Sequence, residues 1–409
     1  MNLVKGGVIM FTKTLKLHFV PDDSDIESLI TLTSKYRDAC NYVSQYVFDN
    51  GFNLNQSVLH NNLYHSIRES FGLKSQATQS TFKTVIARYK TSLTQLSQSP
   101  YCYKDDDGVY HSVPRDLSWL SKPIVFTRPQ ADLVYNRDYR FKDNFQSLRV
   151  TTMDGLIDVF PKGLYKLQDY FDGSWSFGTA KLVQSKNKWY LHIPISKDLP
   201  EFDSSKVCHV VGIDRGLRQL MTCHDESGKT LFFNGQDVIK KRRKYKELRR
   251  SLQQRNTKGS KRRLRLLEHK ENRWMTDVNH QLSKALIAHY GSNTLFVMED
   301  LTNIRFVTET SNKESRYEMV SWAFYQLEQM LRYKAREIGS ELLLVSPMYT
   351  SQRCPKCGTI DKTNRKHDIH EYHCGNCGYR SNDDRLAAIN IQQLGTRYIS
   401  GESNPRYTR

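Results

Sequence analysis

The segment CGNCGYRSNDDRLAAIN, residues 374–390, joins two kinds of ligand chemistry in one short run. A Cys-x-x-Cys pair, Cys374 and Cys377, precedes two adjacent acids, Asp383 and Asp384, and a run with helical character. Adjacent carboxylates repel one another, so the pair asks for a reason. Ser381-x-x-Asp384 has the spacing of a capping box, with an acid placed to complement the helix dipole. An acid that opens a helix is equally well placed to ligate a metal, provided other acids reach it.

Upstream, Cys354 and Cys357 in CPKCG repeat the pattern, with sixteen residues between the two pairs. The glycines let each pair turn as a tight knuckle. Four thiolates in two knuckles predict a closed tetrahedral site, which suits structural Zn²⁺. His367, His370 and His373 lie between the pairs. Four thiolates already fill the shell, so these histidines read as surface or nucleic-acid-facing. The other cysteines, Cys40, Cys102, Cys208 and Cys223, are scattered, which fits a reducing compartment and not a disulfide framework.

Two further acids end predicted strands. VCHVVGID (207–214) is a buried strand closing on Asp214, and TLFVMED (294–300) closes on Glu299, with Asp300 beside it. Read alone, Asp214 in GIDRG is also compatible with a strand-ending turn, and Asp300 with a helix N-cap. Asp214, Glu299 and Asp384 taken together form an ordered set. An open sheet brings the ends of neighbouring strands together, and three converging carboxylates without matching bases raise one another's pKa until a cation relieves them. Oxygen ligands favour Mg²⁺ or Mn²⁺. Two such ions about 3.5–4 Å apart suit in-line displacement at a phosphodiester.

Charge points to the same class of substrate. The 409 residues include 61 Lys and Arg against 43 acids, a net charge of +18. From 240 to 273 sixteen Lys and Arg face three Glu. Such density suits a polyanion, nucleic acid first, over an evenly solvated helix face. Lys240, Lys241, Arg242 and Arg243 crowd a helix start after Asp237, where cations oppose the dipole and a phosphate would offset them; Lys261, Arg262 and Arg263 continue the stripe. No apolar run reaches the roughly 18 residues of a membrane span, and no small-molecule substrate is expected.

The expected organisation is multidomain α+β. Residues 1–22 and 123–203 read as a β-barrel-like module interrupted by a helical insert at 23–122. Tyr135 and Tyr139 within it suit core packing better than base stacking. Residues 204–350 and 381–393 form an α/β unit whose basic helical part spans about 238–290. A helix is expected over 321–338, the cysteine module over 351–380 and a disordered tail over 394–409.

GIDRG (212–216), MEDL (298–301), YTSQRCPKCG (349–358), CGNCGY (374–379) and DDRLAAINI (383–391), in that order, resemble the TnpB family of transposon-encoded RNA-guided DNA nucleases, relatives of type V CRISPR effectors. The strong likeness covers about 207–393; the first half is similar in layout only. The resemblance implies a RuvC/RNase H-like nuclease domain with an inserted zinc ribbon, a wedge β-barrel and a helical recognition domain. It implies a guide RNA and target DNA as partners, Mg²⁺-dependent cleavage after a short flanking DNA motif is read, and a cytoplasmic, nucleoid-associated prokaryotic setting. Catalytic roles carry over to Asp214, Glu299 and Asp384, with Asp383 a dispensable neighbour or capping group. Leu386 stands where the family usually has Asn, and Arg215 where an apolar residue is common. Two alternatives use the same residues: a nuclease-silent, RNA-guided DNA-binding regulator and a strand-transferring transposase.

Overall fold

A computed structural model describes residues 8–185, 187–301, 324–366 and 368–408. His367 and the start of the expected 321–338 helix lie outside them. The chain divides into two compact units, Met10–Asp198 and Leu199–Arg409 with Met1–Ile9. No helix among the described residues is long and apolar enough to cross a membrane.

The Met10–Asp198 unit begins with β1 (Val8–Phe19), whose alternation buries Phe11, Leu15, Leu17 and Phe19. Three helices follow: α1 (Asp23–Asp49), α2 (Gln56–Phe71) and α3 (Ser75–Ser97). Leu29, Leu32, Tyr36, Ala39, Val43 and Val47 keep the three-and-four spacing of one helix face and are buried. The hairpin of β2 (Tyr101–Lys104) and β3 (Tyr110–Val113) leads to β4 (Gln130–Leu133), then β5 (Tyr139–Lys142), β6 (Ser147–Thr151) and β7 (Leu156–Val159), which form their own sheet. β8 (Ser176–Phe177), β9 (Ala180–Ser185) and β10 (Lys188–Pro200) complete a sheet of order β1-β10-β9-β4, with β8 beside β10. Tyr139 is buried and its hydroxyl donates to the Gly178 carbonyl at 2.7 Å, so it packs.

The expected barrel is not closed among the described residues. A barrel needs one unbroken hydrogen-bonded ladder. Here the path ends at β1 and β4, and a turn with Asn136 at φ 60° separates β4 from the β5-β6-β7 sheet.

The other unit is built on a five-stranded sheet of β11 (His209–Asp214), β12 (Gln219–His224), β13 (Thr230–Asn234), β14 (Thr294–Glu299) and β15 (Glu341–Val345), in the order β13-β12-β11-β14-β15. The first three run antiparallel, while β11, β14 and β15 are parallel. Between β13 and β14 lie the basic helices α4 (Gln236–Arg255) and α5 (Lys258–Tyr290), and before β15 lies α6 (Phe324–Glu337). Leu327 and Leu331 of α6 and Leu286 of α5 cover one face of the sheet at Val211, Ile213, Phe296 and Met298.

The last helix, α7 (Asp383–Ile399), covers the opposite face with Ile391 and Leu394 against Val210, Leu295 and Val297. It lies unusually close. A methyl group on Gly212 would stand 2.2 Å from the Ala388 carbonyl, and one on Gly395 would stand 2.4 Å from Val297. Both faces of β11 and β14 are therefore covered, which is why both strands read as continuous apolar runs.

Between β15 and α7 sits the cysteine module, with β16 (Arg365–Lys366), β17 (Glu371–His373) and β18 (Arg380–Asn382) in one small antiparallel sheet. The expected disordered tail is corrected by packing. α7 continues to Ile399, and Tyr407 is only 5% exposed, its hydroxyl donating to the Asn390 carbonyl at 2.8 Å. A single buried aromatic anchored by a hydrogen bond holds the segment down, a signal its polar composition hides.

Candidate active site and cysteine centre

The sheet register brings the acids together. Ile213 pairs with Met298 across parallel β11 and β14, so Asp214 and Glu299 end neighbouring strands at the same edge. α7 runs back over β11: Gly395 lies over Val210 and Ala388 over Gly212. At about 1.5 Å per helical residue against about 3.3 Å per strand residue, the first turn of α7 arrives over Asp214. That turn carries Asp384.

Electrostatics follow from this convergence. Burial, then the charges of Glu299 and Asp384, push the Asp214 carboxyl well above its ordinary range. Burial also raises Glu299, and burial followed by neighbouring Asp383 raises Asp384. The cation that opposes all three is Arg365, from the cysteine module. Glu299 is also oriented: Thr350 donates to its Oε1 at 2.5 Å, and Asn390 of α7 donates to the Thr350 and Arg353 carbonyls at 2.7 and 2.8 Å. Thr350 lies in the quoted YTSQRC stretch and Asn390 in AAINI. Neither was legible as a positioning residue, because each acts through a tertiary hydrogen bond.

Arg215 is explained by its surroundings. Its buried guanidinium donates to the Glu299 carbonyl, lies 3.7 Å from Glu328 of α6 and faces the Phe324 ring. An apolar residue there would take from Glu328 one of the two cations, Arg215 and Arg332, that it pairs with.

Two expectations about the acids are corrected. The N-cap of α7 is Asn382, whose side chain accepts from Arg385 N at 3.0 Å, so Ser381 and Asp384 do not make the cap. Asp383 is no bystander: its side chain is 0% exposed, and its Oδ2 accepts from Arg365 Nε and pairs with the second guanidinium nitrogen, both at 3.1 Å. A fully buried carboxylate is tolerated because it is paired. His370, expected at the surface, is half-buried with Nδ1 3.4 Å from Asp383 Oδ1.

The four cysteines meet. Their sulfurs lie within 4.8 Å of one another, with Cys354–Cys377 and Cys357–Cys374 each at 3.6 Å. Sulfurs about 2.3 Å from one tetrahedral ion would lie roughly 3.8 Å apart. Gly358 and Gly378 take positive φ and return their amides to the Cys354 and Cys374 carbonyls at 2.9 Å, which makes the two knuckles. Leu386 packs with Cys354, Tyr372 and Cys374. The leucine thus fastens α7 to the cysteine module, which accounts for an apolar residue at a position where Asn is usual.

The basic stripe lies on the α4–α5 hairpin, held by Tyr245, Leu252 and Leu267. Lys240, Lys241, Arg243, Lys261, Arg262 and Arg263 are exposed. Arg242 is only 4% exposed, so it is withdrawn from the surface set: its place in the helical repeat turns it towards the buried face with Tyr245. Lys241 lies over the Trp274 ring at 4.3 Å.

The fold and site thus define a multidomain α/β chain with a clustered-acid site and a four-cysteine module. Residues 193–303 match a family model described as a probable transposase, and 324–391 match the Cas12f1-like TNB domain. The chain is 26% identical over 374 residues, 86% of its length and 84% of the relative's, to a CRISPR-associated endodeoxyribonuclease Cas12f1 of Sulfoacidibacillus thermotolerans. It is 28% identical over 191 residues to a TnpB-like protein of Methanocaldococcus jannaschii, covering 45% of this chain and 68% of that one. The cryo-EM structure of a Cas12f1–sgRNA–target DNA complex superposes over 94% of this chain and 99% of that chain at a TM-score of 0.56 and 14% identity, a likeness of fold. Over these spans the chain is similar to TnpB-like and Cas12f1 proteins.

Proposed function

We propose that the chain is an RNA-guided, divalent-metal-dependent DNA endonuclease. The β13-β12-β11-β14-β15 sheet with α7 across it is read as a RuvC/RNase H-like nuclease domain, and the cysteine module as its zinc ribbon. The observation that carries the reading is the convergence of Asp214, Glu299 and Asp384 at one sheet edge, each with its carboxyl raised by burial. Half-buried, converging acids with too few bases are an unfavourable arrangement for a protein that holds no cation there.

The donor sets fit their ions. Asp214, Glu299 and Asp384 offer only oxygen, which suits Mg²⁺ or Mn²⁺; Cys354, Cys357, Cys374 and Cys377 offer four sulfurs, which suits structural Zn²⁺. When bound, divalent ions supply charge neutralisation at the scissile phosphate and lower the pKa of water. The chain's own residues do the positioning. Thr350 holds one Glu299 oxygen and so fixes where the other points. Asp383 holds Arg365 at the acid cluster. The exposed lysines and arginines of α4 and α5 bind phosphates without reading sequence. Sequence is read by guide–target pairing and by a short flanking DNA motif, leaving 5′-phosphate ends.

The test is Mg²⁺-dependent cleavage of matched double-stranded DNA by protein purified with its co-expressed guide RNA. Asp214→Ala, Glu299→Ala and Asp384→Ala are expected to abolish cleavage and keep nucleic-acid binding. A wild-type chain that binds a discrete RNA and matched DNA yet never cuts would replace this reading with the regulator; joined DNA products would replace it with strand transfer.

A further inference from the structure

Beside the three acids lies a second cluster with different chemistry. Ligand atoms of His370, Asp383 and Asp384 all lie within 4.8 Å of one another. His370 Nδ1 is buried and has no hydrogen-bond partner, although Asp383 Oδ1 is 3.4 Å away. The two atoms stand at ion-pair distance without hydrogen-bond alignment, so the ring nitrogen faces the carboxylate and makes no hydrogen bond to it.

The surrounding contacts fix each donor separately. Asp383 gives its Oδ2 to Arg365, while Oδ1 accepts the Asp384 amide at 3.0 Å and keeps a free lone-pair direction. The carbonyl of His370 accepts from the Asp383 amide at 3.3 Å and from Asn382 Nδ2 at 3.2 Å, which ties the β16–β17 turn to the first residues of α7. His370 itself adopts φ 56°, a left-handed conformation that is strained for a non-glycine residue. That conformation is retained in the turn whose ring reaches the carboxylates.

We propose that His370, Asp383 and Asp384 form a mixed nitrogen–oxygen metal site, with Asp384 shared between it and the Asp214–Glu299 edge. Donors around one octahedral ion at about 2.1 Å lie roughly 3.0–4.2 Å apart, so an inward movement of about half an ångström closes the set. His370 Nδ1 and Asp383 Oδ1, which face each other at 3.4 Å without a hydrogen bond, would hold the ion between them. Arg365 remains on the far oxygen of Asp383 and limits the site to three protein donors, leaving positions for water or a phosphate oxygen. An imidazole donor moves selectivity along the Irving–Williams series, so this site takes Mn²⁺ or Co²⁺ in preference to Mg²⁺, unlike an all-oxygen site. The inference deepens the proposed nuclease reading by assigning ligands to a second ion, yet the site rests on its own geometry.

Zinc-loaded full-length protein titrated with Mn²⁺ tests it. Electron paramagnetic resonance counts the bound ions, and pulsed measurements detect nitrogen directly coordinated to Mn²⁺. The wild type is expected to give a nitrogen signal. His370→Ala is expected to lose that signal and to need about tenfold or more Mn²⁺ for half-saturation of that site, with its four-cysteine zinc retained. Asp214→Asn is expected to keep the nitrogen signal. A wild-type protein saturated with Mn²⁺ and showing no coordinated nitrogen overturns the site, as does a signal that persists unchanged in His370→Ala. A nitrogen signal in a chain that never cleaves DNA supports the site and sinks the nuclease reading alone. Cleavage with no nitrogen signal does the reverse.

Discussion

The cysteine module and the acid edge are both ligand clusters, yet they are assembled by opposite means. The four sulfurs come from two knuckles in one small sheet, each knuckle closed by its own glycine and backbone hydrogen bonds. The three carboxylates come from β11, β14 and α7, and meet only because the sheet register and two close glycine contacts bring them there. The first cluster is set by local chain geometry. The second is set by packing, and so it depends on residues that carry no chemistry at all.

The largest test of that contrast is Cys354→Ser. Structural zinc contributes on the order of 10 kcal/mol in small thiolate modules, so the variant is expected to lose its zinc and unfold the 351–382 module, read by metal analysis and amide exchange. Exchange is also expected to rise in the first turn of α7, because Leu386 packs on that module; an unchanged first turn would separate the two clusters.

Gly212→Ala attacks the acid edge without touching an acid. The added methyl meets α7 backbone, and overpacking of this kind costs about 1–3 kcal/mol or more. Cleavage is expected to fall sharply while zinc content stays at wild type. A variant that cleaves normally would show that Asp384 needs no such close seat.

Leu386→Asn installs the residue usual in the TnpB proteins that this sequence resembles. Leu386 is fully buried among Cys354, Tyr372 and Cys374, so the variant is expected to lose about 2–4 kcal/mol in denaturant unfolding and to gain no cleavage rate. A gain in rate would return a catalytic role to that position.

The smallest effect concerns pH. The folded pKa values of Asp214, Glu299 and Asp384 lie above their unfolded ones. Their contribution to stability is present below about pH 4 and is lost as pH rises through the folded values. Without divalent ions, Asp214→Asn is therefore expected to melt higher than wild type at neutral pH, by about 2–4 °C for each kcal/mol relieved, and Mg²⁺ is expected to narrow the gap. A variant that melts lower in Mg²⁺-free buffer would count against an unrelieved acid cluster.

This contrast also decides what was legible beforehand. The cysteine spacing and the two apolar strands ending in acids are period and spacing signals, and they identified the sheet unit and its ligand candidates. Asp383, His370 and Thr350 were not legible as partners, because pairing across a turn or between a loop and a strand leaves no periodic trace. Arg242 failed for a related reason: a dense basic run does not say which of its members faces inward. The barrel failed because strand-like segments were visible while the ladder joining them was not. Tyr407 failed because one buried side chain is enough to hold a polar segment.

The position of α7 also sets an order of events during synthesis. All five strands of the sheet precede the cysteine module and α7 in the chain. While these last parts are still unmade, the face of β11 and β14 at Val210, Leu295 and Val297 has no cover, and Asp214 and Glu299 have no third acid. Domains fold broadly in order of emergence from the ribosome, so the acid edge is the last part of this unit to mature. A nascent chain therefore carries its basic helices α4 and α5 before its third acid is in place.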